Sequence, residues 1–248
     1  MSEFLRLGLN PQLQRACDIV GYSLPTPIQE KAIPLLLQGH DVLGIAQTGT
    51  GKTAAYALPI LMRCKYAQGS LPRALILAPT RELVMQIHEV MVGLAQFTDL
   101  RILALYGGLG PKTQIQTLEA GVDILVSTPG RFLELYRKEA IGTKDLKYLI
   151  LDEADKMMDM GFMPQIREIL EKIPYKKRQN GLFSATFPEK VENLSHEFLE
   201  FPQKVEITRQ ATPASQVTQF VYEAPNLSTK INALAYFLKQ DRFERVMV

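Results

Sequence analysis

Two short strings in this 248-residue sequence carry side chains that could act on a phosphorylated ligand. The first is AQTGTGKT, residues 46–53. Gly49 and Gly51 have no Cβ, so backbone N–H groups there can curl around phosphate oxygens. Lys52 would reach the outer phosphates, and Thr53 would offer a hydroxyl to magnesium. Ala46, Gln47, Thr48 and Thr50 complete the turn of a P-loop, with Ala46 standing where the general pattern has its first glycine. The second string, YLILDEAD (148–155), is an apolar run ending in carboxylates. Asp152 is placed to hold the magnesium, directly or through water. Glu153 is placed to orient or deprotonate an attacking water, and Asp155 to brace neighbouring loops.

For the two strings to meet, the chain between them must form a sheet with both at one rim. Short apolar runs recur at 41–46, 73–78, 101–106, 122–127, 148–153, 181–186 and 204–207. Their near-continuous apolar character predicts strands covered on both faces. Between them lie helical stripes, clearest in Leu83, Ile87, Val90, Met91 and Leu94. Strand and helix in alternation predict an α/β fold, a mostly parallel sheet with helices on both faces. The loop 46–53 then leads into a helix from Lys52 to about Lys65, whose positive end faces the bound anion. Asp152 falls in the crevice at the C-terminal ends of the strands, where such sheets bind ligands.

Composition is that of a globular protein, with 46% apolar and 22% charged residues. A net charge of +2 excludes a bulk electrostatic nucleic-acid binder and leaves room for a local basic groove. Cys17 and Cys64 stand alone in apolar helical contexts and read as small buried hydrophobes of a reducing compartment. His40, His88 and His196 lack metal-ligand spacing. The Met157, Met158, Met160 and Met163 group reads as packing. No signal peptide and no membrane span is expected, which points to a cytoplasmic, soluble protein; it is also expected to be monomeric. The chain divides into a mainly helical lead-in (1–40), an α/β domain (41–208), a polar linker (209–216) and a closing segment (217–248). That last segment holds a strand in VTQFVYEA, a helix, and a further strand beginning at RVMV.

AQTGTGKT and DEAD together resemble the signature of the DEAD-box RNA helicases. Five further strings match in family order: GYSLPTPIQ (21–29), PTRELV (79–84), GG (107–108), TPGR (128–131) and SAT (184–186). DEADKMMDMGFMPQI leans toward a bacterial RhlE-like branch. The resemblance implies a RecA-like P-loop lobe that binds ATP and Mg2+, with a short stub of a second RecA-like lobe after the linker. It implies that the Gln29 amide pairs with the N6 and N7 edge of adenine, that Tyr22 stacks on the base and that Phe4 supports the site. For Phe4 and Tyr22, ordinary packing is the competing role.

It further implies contacts to the RNA sugar–phosphate backbone, without base readout, from Pro79, Thr80, Arg81, Gly107, Gly108, Thr128, Pro129, Gly130 and Arg131. Internal bracing is the competing role for both arginines. Ser184 and Thr186 would couple the two sides through hydrogen bonds to the acidic motif. The implied activity is ATP-driven local unwinding of RNA duplexes, feeble without the second lobe, which supplies arginines to the γ-phosphate. The alternative is an ATP-gated RNA clamp or annealing scaffold.

Overall fold

The computed structural model describes residues 3–108, 110–174, 178–207 and 220–240. Two compact units divide the chain, Met1–Thr208 and Arg209–Val248. The expected linker, the run RVMV and the first residues of VTQFVYEA lie outside the described residues.

All seven expected strands of the first unit form: β1 (Val42–Ile45), β2 (Ala74–Leu77), β3 (Ile102–Leu105), β4 (Ile124–Ser127), β5 (Tyr148–Leu151), β6 (Gln179–Ser184) and β7 (Gln203–Glu206). They make one sheet in the order β3-β4-β2-β5-β6-β1-β7, and every pairing is parallel. Successive strand residues point to opposite faces, and each face has its own core. Val42, Ile76, Val126, Ile150 and Phe183 join the core under α1 (Pro11–Ile19), α2 (Pro27–Gln38), α3 (Lys52–Cys64) and α4 (Arg81–Ala95). Leu43, Leu77, Leu125, Leu149 and Leu182 join the other. That face is covered by α5 (Pro111–Glu119), α6 (Pro129–Arg137), α7 (Ala154–Asp159), α8 (Met163–Lys172) and α9 (Glu189–Phe198). This is the parallel α/β arrangement that the sequence predicts and the RecA-like fold that the resemblance implies.

Cover on both faces fails at the two edges. Three of the four β3 residues are half-buried, and in β7 only Val205 is buried. Both lie at the margins of the sheet, where the helical layers run out. Met157, Met158, Cys17 and Cys64 are core residues as expected and Met163 packs against the core, but Met160 is corrected: it is exposed. Burial pushes the two thiols up to about 12 and about 11 respectively.

The lead-in is helical: a 3-10 turn (Glu3–Leu7) precedes α1 and α2. In the second unit, α10 (Leu227–Leu238) forms as expected, capped by Asn226 accepting from the Thr229 N–H at 2.8 Å. The expected strand in VTQFVYEA is corrected for its described part: residues 220–224 are not in a strand. No described strand pairs with them, and a lone strand leaves its backbone groups unbonded. No helix among the described residues is long and apolar enough to cross a membrane.

Candidate functional site

The sheet order sorts the candidate motifs into two groups. β5, β6 and β1 are neighbours, and from their C-terminal ends come DEAD, SAT and the glycine-rich loop. β3, β4 and β2 are neighbours, and from theirs come GG, TPGR and PTRE. Two candidate sites thus share one rim.

In the first group, Gly51 caps α3 with a left-handed φ of 89°, so the loop can turn directly into the helix. Lys52 is buried, and its ammonium donates to the Ala46 carbonyl at 2.7 Å. Burial pulls its pKa down, while Asp152, Glu153 and Asp155 pull it back toward the charged form. The loop also closes on itself, with the Thr50 hydroxyl donating to the Gln47 carbonyl at 2.6 Å. A cavity of ≈ 470 Å³ opens here, within the usual range for small-molecule sites. Thr48, Gly49, Gly51, Lys52, Thr53, Asp152 and Glu153 all line it. Ala46, Gln47 and Thr50 do not.

The carboxylates have distinct surroundings. Asp152 Oδ1 accepts from the Glu153 N–H at 2.9 Å, and Oδ2 accepts from the Tyr56 hydroxyl at 2.7 Å. Burial raises the Asp152 pKa, against the opposing pull of Tyr56 and Lys52. Glu153 caps α7 in the left-handed region, with φ 51° and ψ 51°, a strained position for a residue with a side chain. Its carboxylate is paired with Lys156 at 2.8 Å. Asp155 Oδ2 accepts from the Thr186 N–H at 2.9 Å and hydroxyl at 2.8 Å, and the Ser184 hydroxyl accepts from the Asp155 N–H at 3.3 Å. Although burial works against it, these bonds hold the Asp155 carboxyl below its ordinary value. The expected bonding of Ser184 and Thr186 to the acidic motif is therefore present. Thr53, Asp152 and Glu153 offer hard oxygen donors of the kind that hold magnesium.

At the far end of the cavity, Thr26 opens α2 and Pro27 occupies its first position, where a missing N–H costs nothing. The Gln29 carbonyl accepts from the Thr26 N–H at 3.0 Å, and its amide donates to the Gly51 carbonyl at 3.1 Å. Gln29 therefore joins the lead-in to the phosphate loop, with one N–H and one lone pair to spare. Tyr22 is half-buried and lines the cavity; Phe4 does not. The Phe4 reading is corrected: its ring is wholly buried in the core beneath the lead-in. Sequence reasoning missed Leu83, Gln86 and Val90 of α4, which form another part of the cavity lining. It also missed Tyr56.

In the second group, Arg81 lies over the Tyr106 ring at 4.8 Å. The Tyr106 carbonyl accepts from Gln114 at 3.4 Å, and the Gln114 side-chain carbonyl accepts from Arg131 Nε at 2.8 Å. The three expected backbone-binding loops are thus linked side by side. Arg81, Gly107, Gly108 and Gly130 are exposed. Thr80 caps α4 by accepting from the Leu83 N–H at 3.2 Å, and Thr128 stands at the N-cap position of α6 without a side-chain cap bond. Three residues are corrected. Arg131 is buried and also paired with Glu134 at 2.6 Å, so it braces its loop, and the buried Pro79 and Pro129 shape the turns.

The fold and the first group define a P-loop nucleotide-site domain of the RecA-like class. The sequence model of the family described as DEAD/DEAH box helicase matches residues 26–194, and the chain belongs to that family. It is 40% identical over 247 residues to "RNA helicase CrhR" of Synechocystis sp., covering 100% of this chain and 50% of that protein. It is 40% identical to "ATP-dependent RNA helicase RhlB" of Pseudomonas aeruginosa, covering 100% and 64%. It is 38% identical to "ATP-dependent RNA helicase DeaD" of Escherichia coli strain K12, covering 99% and 39%. The chain thus spans 39% to 64% of the length of these relatives.

Proposed function

We propose that this chain is the ATP-binding lobe of an ATP-dependent RNA helicase that remodels short RNA duplexes. One observation supports this above the rest: Lys52, Thr53, Asp152, Glu153 and Gln29, from three separate segments, line a single cavity. Backbone N–H groups at Gly49 and Gly51 and the start of α3 would receive the phosphates, and Lys52 would turn from Ala46 to balance their charge. The spare N–H and lone pair of Gln29 would read adenine, with Tyr22 against the base. Thr53 and Asp152 would hold Mg2+, which when bound supplies Lewis-acid charge to the phosphate oxygens. Glu153 would accept the proton of the attacking water, released from Lys156.

The loops after β2, β3 and β4 would grip one RNA strand by its phosphates, without base readout. Asp155, with Ser184 and Thr186, would pass the state of the ATP side to the RNA side. A second RecA-like lobe would supply arginine charge to the transition state, worth about 10³–10⁵-fold in comparable enzymes, so hydrolysis by this chain alone would be very slow. Membership of an RhlE-like branch and a cytoplasmic, monomeric protein complete the proposal.

Calorimetric titration of the 248-residue chain with ATP and GTP tests it. ATP binding that is lost in Lys52→Ala is expected; equal affinity for both nucleotides would sink the Gln29 assignment. In the longer protein, duplex separation should require ATP. RNA retention with no separation would assign the clamp instead.

A further inference from the structure

Tyr56 lies one turn beyond Thr53 on α3 and is fully buried. Its ring packs against Phe183, with centroids 5.1 Å apart and an interplanar angle of 54°. Gly44 makes room for that pair: a Cβ there would come within 2.5 Å of the Phe183 ring. A phenylalanine at position 56 would fill the same space. The hydroxyl is the part that packing does not explain, and burying one without a partner is unfavourable.

Its partner is a candidate magnesium ligand. The phenol donates to Asp152 Oδ2 at 2.7 Å, since a carboxylate can only accept. Asp152 is tied at both oxygens, by Tyr56 and by the Glu153 N–H, which fixes its plane and leaves acceptor capacity on each. The geometry points to Tyr56 as a positioning residue for magnesium: its hydroxyl holds the Asp152 carboxylate in the orientation that the ion needs. This rests on the reading of the cavity as an ATP–magnesium site.

The test is a fluorescence titration of the 248-residue chain with N-methylanthraniloyl-ADP, over a range of Mg2+ and in excess EDTA. Tyr56→Phe should raise the Mg2+ midpoint by about 10-fold, the scale seen when a ligand's hydrogen-bond partner is removed. Affinity in EDTA should stay as in the parent chain. In an Asp152→Asn background the same substitution should shift the midpoint little further, because the bond it removes is already altered. An unmoved midpoint in Tyr56→Phe overturns the inference. So does a shift that is undiminished beside Asp152→Asn, which marks general loosening of the core. A parent chain whose nucleotide binding ignores Mg2+ would remove the magnesium reading itself.

Discussion

Asp123 offers a sharp test of what holds the rim in place. It stands just before β4, with its side chain wholly buried. Its carboxylate accepts from Arg73 at 2.7 Å, from Arg101 Nε at 2.8 Å, and from the backbone N–H groups of Gln68 at 2.9 Å and Arg101 at 3.0 Å. Arg73 and Arg101 stand just before β2 and β3. One carboxylate therefore ties the entry ends of the three strands whose exits carry the candidate RNA-binding loops. Burial alone would raise its pKa, but the bonds from Arg101, Gln68 and Arg73 outweigh it and bring the value from 3.8 to about 2.

A pKa lower in the folded than in the unfolded chain stabilises the fold above the unfolded value, and that stability fades as pH falls through the folded value. The drop corresponds to about 2 kcal/mol at about pH 7, shrinking to about 1 kcal/mol at about pH 3. Asp123→Asn should forfeit this pH-dependent part and leave Arg73, largely buried, short of its counter-charge. With no tryptophan in the chain, urea unfolding is best followed by circular dichroism. At about pH 7 the midpoint should fall by about 1 M, for a urea slope of about 2 kcal/mol/M. The gap between parent and variant should narrow by about 1 kcal/mol on acidification to about pH 3. A gap that is the same at both pH values would refute the role given to the charge.

Gly51→Ala should weaken ATP binding by about 10-fold or more in calorimetry, since left-handed strain and a lost hydrogen bond each cost about 1 kcal/mol. The added Cβ would stand 2.4 Å from the Gln29 amide, so normal affinity would discredit the link between lead-in and loop. Gln29→Ala should erase the preference for ATP over GTP and also lower affinity for both, because it removes the bond to Gly51. Arg81→Ala should weaken RNA binding and reduce its salt slope by about 1, with unchanged thermal stability. Arg131→Ala should instead lower unfolding stability by about 3 kcal/mol by breaking a buried charged network. If the two arginine variants behaved alike, the division between contact and brace would be wrong.

The strands were legible because burial on both sides leaves a continuous apolar run, and a run such as RALILA has few other readings. The cavity-lining Lys52, Asp152 and Glu153 were legible for a related reason: glycines and charges placed directly at the end of such a run have little structural use. What stayed hidden was whatever depends on contacts between segments distant in sequence. Asp123 looks like any acidic residue at the start of a strand until Arg73 and Arg101 arrive from neighbouring strands. Arg131 and Arg81 occupy similar places in similar strings, yet Gln114 and Glu134 enclose one, while the other stays exposed over a tyrosine ring. Phe4 was given a supporting role at the site by resemblance, with packing as the competing role, and its wholly buried ring takes the packing role. Tyr56 is the reverse case. Inside AAYALPIL it reads as one more apolar core residue, and its single polar atom has meaning only beside Asp152, 96 positions away in sequence. The apolar pattern thus places the backbone, and the buried polar atoms, which need partners, then decide which side chains belong to the site.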